Sequence, residues 1–355
     1  MSKVVIGIPC YNSEDKIKRL LDSIMIQKYK DFDVIITDDS DNNHIENMLN
    51  DYAILNILYY KNVERLGIAG NTNQVLKIAM GRCAEYLKIM YHDDWFSSSE
   101  SLEKMVKALE DNKKAGLAFS RTYEVEGEIK FERKITKEQI VQLKKNFFIL
   151  TYFNIIGAPS STIIRVNDLF MDKELMWFVD IDWYIQILQK YGEFVFIDEP
   201  LINIGIGETQ VTCNCIDDPI LILNENVHLY KKYQELRCEN YMNKMLEQIE
   251  RIVLQSRLLQ MKSEDVDIYV YGAGRLGKQC AKFLNKNHII YKAFIVSYRK
   301  IYEEIFEGHK IIEFKDYLAI KKNKKSVIIL ALSEINRAEV IADIENAKVD
   351  YIIWK

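Results

Sequence analysis

Two short apolar runs, Val4 to Ile8 and Phe32 to Ile36, restrict the fold more than any other feature of this sequence. A strand with one wet face alternates apolar and polar residues, whereas a strand buried on both faces reads as a nearly continuous apolar run. These two therefore read as central strands of a parallel sheet. Parallel strands need a crossover, and the segment between them supplies one: Ile17, Leu20, Leu21 and Ile24 form one helical stripe over about 14–28, behind an N-cap signal at Ser13. The alternation continues with a helix near 44–50, a strand at 54–60, a helix at 69–80 and a strand at 86–90. The fold class is α/β with a mostly parallel sheet.

Beyond an acidic turn at 93 and 94 the spacing predicts a helix over about 99–111 and a strand around 115–122. From 123 to 215 the pattern is mixed: a polar stretch at 124–139, an apolar one at 146–157, a strand at 162–165 and a helix through 180–190. Residues 219–261, rich in Leu, Ile, Lys and Glu, read as one or two connecting helices. A second α/β series starts with "DIYVYG" and ends with "DYIIW". The expected division is a first domain at 1–215, a helical connector at 216–264 and a smaller Rossmann-like domain at 265–355. Apolar positions of the connector pack internally or against a second copy of the chain, so a homo-oligomer stays open.

Composition removes several classes. A net charge of -4 and a pI near 5.9 lack the Lys and Arg excess that neutralises phosphates, so nucleic acid is not expected as a partner. The cysteines at 10, 83, 213, 215, 238 and 280 and the isolated histidines match neither a disulfide framework nor a zinc site. A reducing cytoplasm is the simplest setting. The N-terminus runs straight into a strand, with no leader pattern, and no apolar stretch reaches the ~18–20 residues of a membrane helix. The segment 146–157, behind Lys144 and Lys145, reads as buried core. Peripheral membrane contact is the remaining membrane option.

Polar groups at the carboxyl ends of these strands are where open α/β sheets bind ligands. Pro9, Cys10, Tyr11 and Asn12 follow the first strand, where a Tyr ring stacks on a nucleobase and Asn hydrogen-bonds. Asp38 and Asp39 close the second strand and accept from a pyrimidine N–H or a ribose hydroxyl. Each is weak alone, because Asn and Asp are common at strand ends. Asp93 and Asp94 end the strand "YLKIM", and two carboxylates there suit Mg2+ or Mn2+ shared with phosphates. The bland reading is an N-cap for the helix near 99. Asp180 and Asp182 open a helix, where the macrodipole favours acids. One carboxylate suffices for that, which leaves the other to accept a proton from a hydroxyl.

Taken in order, "IGIPCYNSEDKIKRLLDSIMIQKYKDFDVIITDDSDN", "ERLGIAGNTNQVLKIAMGRCAEYLKIMYHDDWF" and "VDIDWYIQILQKYG" resemble glycosyltransferase family 2, the inverting enzymes of GT-A fold, over about the first 215 residues. The resemblance implies a nucleoside diphosphate sugar donor and a saccharide or lipid-linked acceptor. It also implies a role in bacterial surface-polysaccharide synthesis at the inner face of the membrane. By the same resemblance Pro9, Tyr11 and Asp39 hold the base, Asn71 lies near the nucleotide, and Asp93 is the metal-contacting end of the D-x-D motif. Asp180 takes the base position, with Asp182 as runner-up and Gln186 where the family usually has Arg. Two positions depart from the pattern: Tyr91 replaces the first Asp of D-x-D, and Val179 the Glu before Asp180. The stretch 203–212 resembles the loop over the diphosphate, with Gln210 and Thr212 as its contacts.

In the tail, "YGAGRLG" sets Gly272, Gly274 and Gly277 in G-x-G-x-x-G spacing between a strand and a helix, the context of a dinucleotide turn. The acid that should follow about 20 residues on is missing. Ser297 and Tyr298 stand there instead, which argues against NAD. The tail resembles small Rossmann-like domains found beside bacterial polysaccharide-assembly enzymes. It is either a second nucleotide site or a packing module that needs glycine for close helix–strand contact. Two other functions compete: a nicotinamide-dependent oxidoreductase built on that turn, which leaves the N-terminal carboxylates without work, and a non-catalytic scaffold, which Tyr91 keeps open.

Overall fold

The structure is a computed structural model that describes residues 2–207, 215, 218–262, 266–297, 305–321 and 325–354. The chain divides into two compact units, Met1–Ile216 with His228–Leu236, and Asp217–Val227 with Arg237–Lys355.

The first unit is a mixed α/β domain. Strands β1 (Val4–Cys10), β2 (Phe32–Asp38), β3 (Ile57–Lys61) and β4 (Tyr86–Ile89) pair in parallel. Helices α1 (Glu14–Met25), α2 (His44–Met48) and α3 (Gly67–Gly81) make the crossovers between them. Every residue of β1 and β2 is buried, as their unbroken apolar character requires. The α1 stripe Ile17, Leu20, Leu21 and Ile24 is completely buried in the same core as Val4, Ile6 and Ile8. Each such side chain contributes about 1.5–3 kcal/mol relative to exposure. Ser13 does precede α1, yet its hydroxyl makes no capping bond and is buried without a partner among the described residues.

The remaining elements are β5 (Trp95–Phe96), α4 (Ser101–Asp111), β6 (Leu117–Glu126), β7 (Ile129–Arg133), α5 (Lys137–Lys145), β8 (Thr162–Arg165), α6 (Val179–Tyr191) and β9 (Phe194–Gly205). They extend the sheet to β3-β2-β1-β4-β8-β6-β9-β5, with β7 on β6. β8 is antiparallel to both neighbours, and β9 runs parallel to β6 and antiparallel to β5. The parallel run expected from sequence thus occupies one half, and the other is built of antiparallel pairings and the parallel β6–β9 pair. The polar stretch 124–139 is a hairpin followed by a helix capped by Thr136 and Gln139. β7 lies at an edge and is mostly exposed, so no burial pattern marks it. The apolar segment 146–157 forms a short 3-10 turn, with Phe148, Leu150, Ile155 and Ile156 buried. Among the described residues no helix is long and apolar enough to cross a membrane.

Residues 219–261 form two helices, α7 (Pro219–Lys232) and α8 (Glu239–Met261). The second unit's sheet contains β10 (Asp267–Tyr271), β11 (Phe294–Val296), β12 (Ile305–Phe306), β13 (His309–Glu313), β14 (Ser326–Leu330) and β15 (Asp350–Ile353). Its other helices are α9 (Arg275–Lys286), α10 (Phe314–Lys321) and α11 (Glu334–Asn346). The order β12-β13-β11-β10-β14-β15 is parallel throughout except for β12, and it reverses direction between β10 and β14 as in a doubly wound sheet. Apolar residues fill both faces.

Candidate active site

The ends of β1 and β2 are held by a polar frame. Pro9 is buried in β1, opposite Thr37. Asn12 adopts a left-handed φ of 43°, which Asn tolerates, and its N–H donates to Ser40 Oγ at 2.7 Å. The half-buried Tyr11 ring is covered by the Arg65 guanidinium, 3.9 Å from its centroid. Asp38 is fully buried and accepts from Ser40, from Tyr59 Oη (2.8 Å) and from Lys61 Nζ (3.3 Å). Burial alone would raise its carboxyl, but these bonds hold it below the usual carboxylate range. Asp39 accepts from Asn62 Nδ2 (2.7 Å), Leu66 N (3.2 Å) and Gly67 N (2.9 Å), so it caps the start of α3. Asn71 donates to the carbonyls of Cys10 (3.2 Å) and Thr37 (3.1 Å) and accepts from Asn62 (3.0 Å). The structure brings Asp38, Asp39 and Asn71 together, with these polar atoms engaged by protein groups.

The end of β4 is a tight turn in which Asp94 N donates to the Tyr91 carbonyl at 3.0 Å. It precedes a strand, β5, and α4 begins only at Ser101, so the two acids are not its N-cap. The two carboxylates have opposite fates. Asp94 is buried, accepts from Gly205 N at 3.1 Å and lies against the Ser160 hydroxyl. Burial, then the charge of Asp93, pushes its carboxyl well up. Its expected place as a metal ligand does not match this inward orientation, because a strand end and a turn already surround it. Asp93 is partly exposed, and its carboxylate has no hydrogen-bonding partner among the described residues. Its carbonyl accepts from Arg19 Nη2 at 3.0 Å, and Arg19 stacks 3.5 Å above the Trp95 ring. A Cβ on Gly205 would stand 2.4 Å from that carbonyl oxygen, so only glycine lets β9 approach the turn. Burial lowers the His92 imidazole below its usual range, and its Nδ1 has no hydrogen-bonding partner among the described residues.

Asp180 and Asp182 lie in the first turn of α6. Asp180 is half-buried, and its Oδ2 accepts from Asn154 Nδ2 at 3.1 Å. Asn154 is itself fixed by Gly157 N (2.8 Å), while Arg133 from β7 binds the carbonyls of Asn154 and Ile155. Tyr91 connects this group with the β4 turn. Burial raises its phenol, the Thr72 hydroxyl opposes that, and the charges of Asp180, Asp94 and Asp93 each raise it further. Asp182 differs: it is fully buried and accepts from Tyr233 Oη (2.7 Å), Gln186 Nε2 (2.7 Å) and Lys232 Nζ (2.9 Å). With its oxygens so engaged, Asp182 is a structural anchor and is not placed as a spare base.

Asp172 completes that anchor by accepting from His228 Nε2 and Lys232 Nζ, both at 2.9 Å. Burial opposes the charge, but these partners bring its carboxyl down to about 2. The folded value lies below the unfolded one of about 3.9, so the stabilisation is complete above pH ~4 and disappears as pH falls toward 2. Allowing for solvent screening, about 1 kcal/mol is at stake. Urea midpoints should therefore decline from pH 4 to 2, and Asp172→Asn should flatten that decline. An unchanged slope in the variant would remove Asp172 as its source.

Sequence reading missed Asn154, Arg133, Ser160 and Lys88, and no local signal marks them: each acts on a partner far away in the chain. Gln210 and Thr212 lie outside the described residues.

Among the described residues no three His, Cys, Asp or Glu side chains come together as a closed metal cage. An ion shared with a diphosphate needs only one or two protein carboxylates, the rest of its shell being phosphate and water. The partly exposed Asp93 carboxylate, without a hydrogen-bonding partner among the described residues, fits that requirement.

The profile of the family described as glycosyl transferase family 2 matches residues 5–169. An uncharacterized glycosyltransferase of Methanocaldococcus jannaschii is 29% identical over 211 residues, covering 57% of this chain and 70% of that protein. The UDP-Glc:alpha-D-GlcNAc-diphosphoundecaprenol beta-1,3-glucosyltransferase of Escherichia coli is 34% identical over 100 residues, 28% of this chain and 39% of that enzyme. Among solved structures, TarS 1-349 of S. aureus aligns with a TM-score of 0.48 and 18% identity over 74% of this chain and 75% of its own. The mannosyltransferase PcManGT of Pyrobaculum calidifontis aligns with a TM-score of 0.48 and 13% identity over 81% and 84%. The stretch that matches the glycosyl transferase family 2 profile, residues 5–169, carries the β1, β2 and β4 ends built above.

Proposed function

We propose that this protein is an inverting glycosyltransferase that moves a sugar from a nucleoside diphosphate sugar to a hydroxyl of a saccharide or lipid-linked saccharide, in surface-polysaccharide synthesis. One observation carries the reading: within the stretch that matches glycosyl transferase family 2, the β4 turn holds Asp93 partly exposed with no hydrogen-bonding partner for its carboxylate among the described residues. In this reading Asp93 serves the phosphate end and Asp180, whose charge also acts on Tyr91, the acceptor end. The Escherichia coli relative, whose name specifies a diphosphoundecaprenol-linked acceptor, supports the lipid-linked class.

In this reading Tyr11 offers a ring face for the base, at the frame that Asp39 and Asn71 hold. Asp93 would hold a divalent ion, Mn2+ or Mg2+, together with the donor's phosphates. When bound, the ion supplies positive charge to the departing diphosphate. The acceptor oxygen attacks the anomeric carbon from the face opposite the diphosphate, and Asp180 takes its proton. The bond to the diphosphate oxygen breaks with its electron pair leaving on the diphosphate, so the configuration at carbon inverts. Asn154 keeps the Asp180 carboxylate oriented toward the acceptor.

Calorimetric titration with UDP and GDP, each with and without Mn2+, tests the phosphate end. Asp93→Asn should weaken Mn2+-supported binding at least tenfold, the order lost even for outer-shell partners of a metal, and leave metal-free binding unchanged. Equal Mn2+-supported affinity in variant and wild type would overturn the assignment.

A further inference from the structure

Lys88 is the group that this mechanism leaves unused. It lies in β4 between Leu87 and Ile89, and its side chain is 0% exposed. A buried ammonium is strongly unfavourable unless its N–H donors all find acceptors. Here they do: Nζ donates to the carbonyls of Ile89 (3.3 Å), Thr162 (3.1 Å) and Ser160. Two of these acceptors lie at the turn Pro159–Ser161 and the start of β8, more than 70 residues along the chain.

The turn that Lys88 holds is the one that shapes the β4 end. Ser160 is also 0% exposed, and its Oγ accepts from Tyr91 N at 2.9 Å. The same hydroxyl lies against the Asp94 carboxyl, which Gly205 N binds from β9. A continuous polar path therefore runs from Lys88 through Ser160 to both ends of the Tyr91–Asp94 turn. Asp93 projects from the middle of that turn with its carboxylate unpaired among the described residues. An apolar side chain of similar volume at position 88 would leave the Ser160 carbonyl without this donor and free the turn to shift.

We propose that Lys88 is a positioning residue: it anchors the Ser160 turn, and that turn sets the backbone from which Asp93 meets the metal and diphosphate. The inference rests on the reading of Asp93 given above. A residue that acts only on stability would lower the unfolding midpoint and leave the affinity of the folded protein unchanged. A positioning residue also weakens Mn2+-supported binding.

The test uses the full chain and the variants Lys88→Met, Ser160→Ala and Asp93→Asn, titrated with UDP and GDP with and without Mn2+, alongside thermal melts. Ser160→Ala keeps every carbonyl that Lys88 binds and removes the hydroxyl that meets Tyr91 N and the Asp94 carboxyl, so it decides the matter if Lys88→Met does not fold. Mn2+-supported affinity should fall about tenfold in Ser160→Ala and at least as much in Lys88→Met, with metal-free affinity unchanged. Wild-type Mn2+-supported affinity in Ser160→Ala, whatever its melting temperature, overturns the proposal. If Asp93→Asn loses Mn2+-supported binding while the other two keep it, only the Lys88 inference fails. If Asp93→Asn keeps it, the reading of Asp93 fails as well.

Discussion

Asp180→Asn should bind nucleoside diphosphate sugar as wild type does and transfer about 10²- to 10⁴-fold more slowly, the range that a positioned general base contributes. The substitution keeps size and shape, and an asparagine oxygen still accepts the hydrogen bond from Asn154 Nδ2. It cannot take a proton at neutral pH. No nearby acid is placed to substitute: Asp182 is buried among Tyr233, Gln186 and Lys232, and Asp94 is turned toward Gly205. Single-turnover transfer measured beside donor affinity separates the two effects, since a group that acts only in the transition state lowers the rate and not ground-state binding. Transfer within a few-fold of wild type would discard Asp180 as the base. A collapse found only in Asp182→Asn would show that the buried anchor is the catalytic group.

The second large effect is expected in the other unit. Gly277→Ala would place a Cβ 1.9 Å from the Gly272 carbonyl oxygen, well inside contact distance. Gly272 is itself closely packed: it sits at φ 112°, and a Cβ on it would be 2.5 Å from the Ala331 carbonyl oxygen. Because both obstacles are backbone, the cost should reach or exceed the upper part of the 1–3 kcal/mol typical of overpacking, about 3 kcal/mol. Gly274 is the control, since a Cβ there meets nothing within 4 Å. If the turn serves packing, Gly277→Ala lowers the thermal midpoint and Gly274→Ala barely moves it. If the turn approaches a pyrophosphate, Gly274→Ala weakens binding of NAD or UDP at unchanged stability, because the middle glycine admits the phosphates. A Gly277→Ala protein that melts with wild type would refute the close-packing account.

Much of the first unit was legible from sequence because its central strands and α1 are buried in patterns that local spacing reveals. Val4 to Ile8, Phe32 to Ile36 and the Ile17–Ile24 stripe all fall in the core where periodicity places them. The hairpin of β6 and β7 and the long strand β9 were not legible. β7 is an exposed edge, and β9 contains Pro200 and pairs with β6 through register shifts, so neither shows a clean alternation. Tyr298 and the loop contacts Gln210 and Thr212 fall outside the described residues.

From sequence alone came the order of strands and helices in the parallel half, and with it the placing of Asp38, Asp39, Asp93 and Asp94 at strand ends and Asp180 and Asp182 at a helix start. Periodicity and end signals act over a few residues, so they reach that far. Tertiary structure alone decided which of these acids have carboxylates left for a ligand. Asp94 meets Gly205 across 111 residues, Asp182 meets Tyr233 across 51, and Lys88 meets Ser160 across 72. A carboxylate's chemistry depends on whether its lone pairs are already taken and how far it is from water, and both are set by partners that only the folded chain brings near.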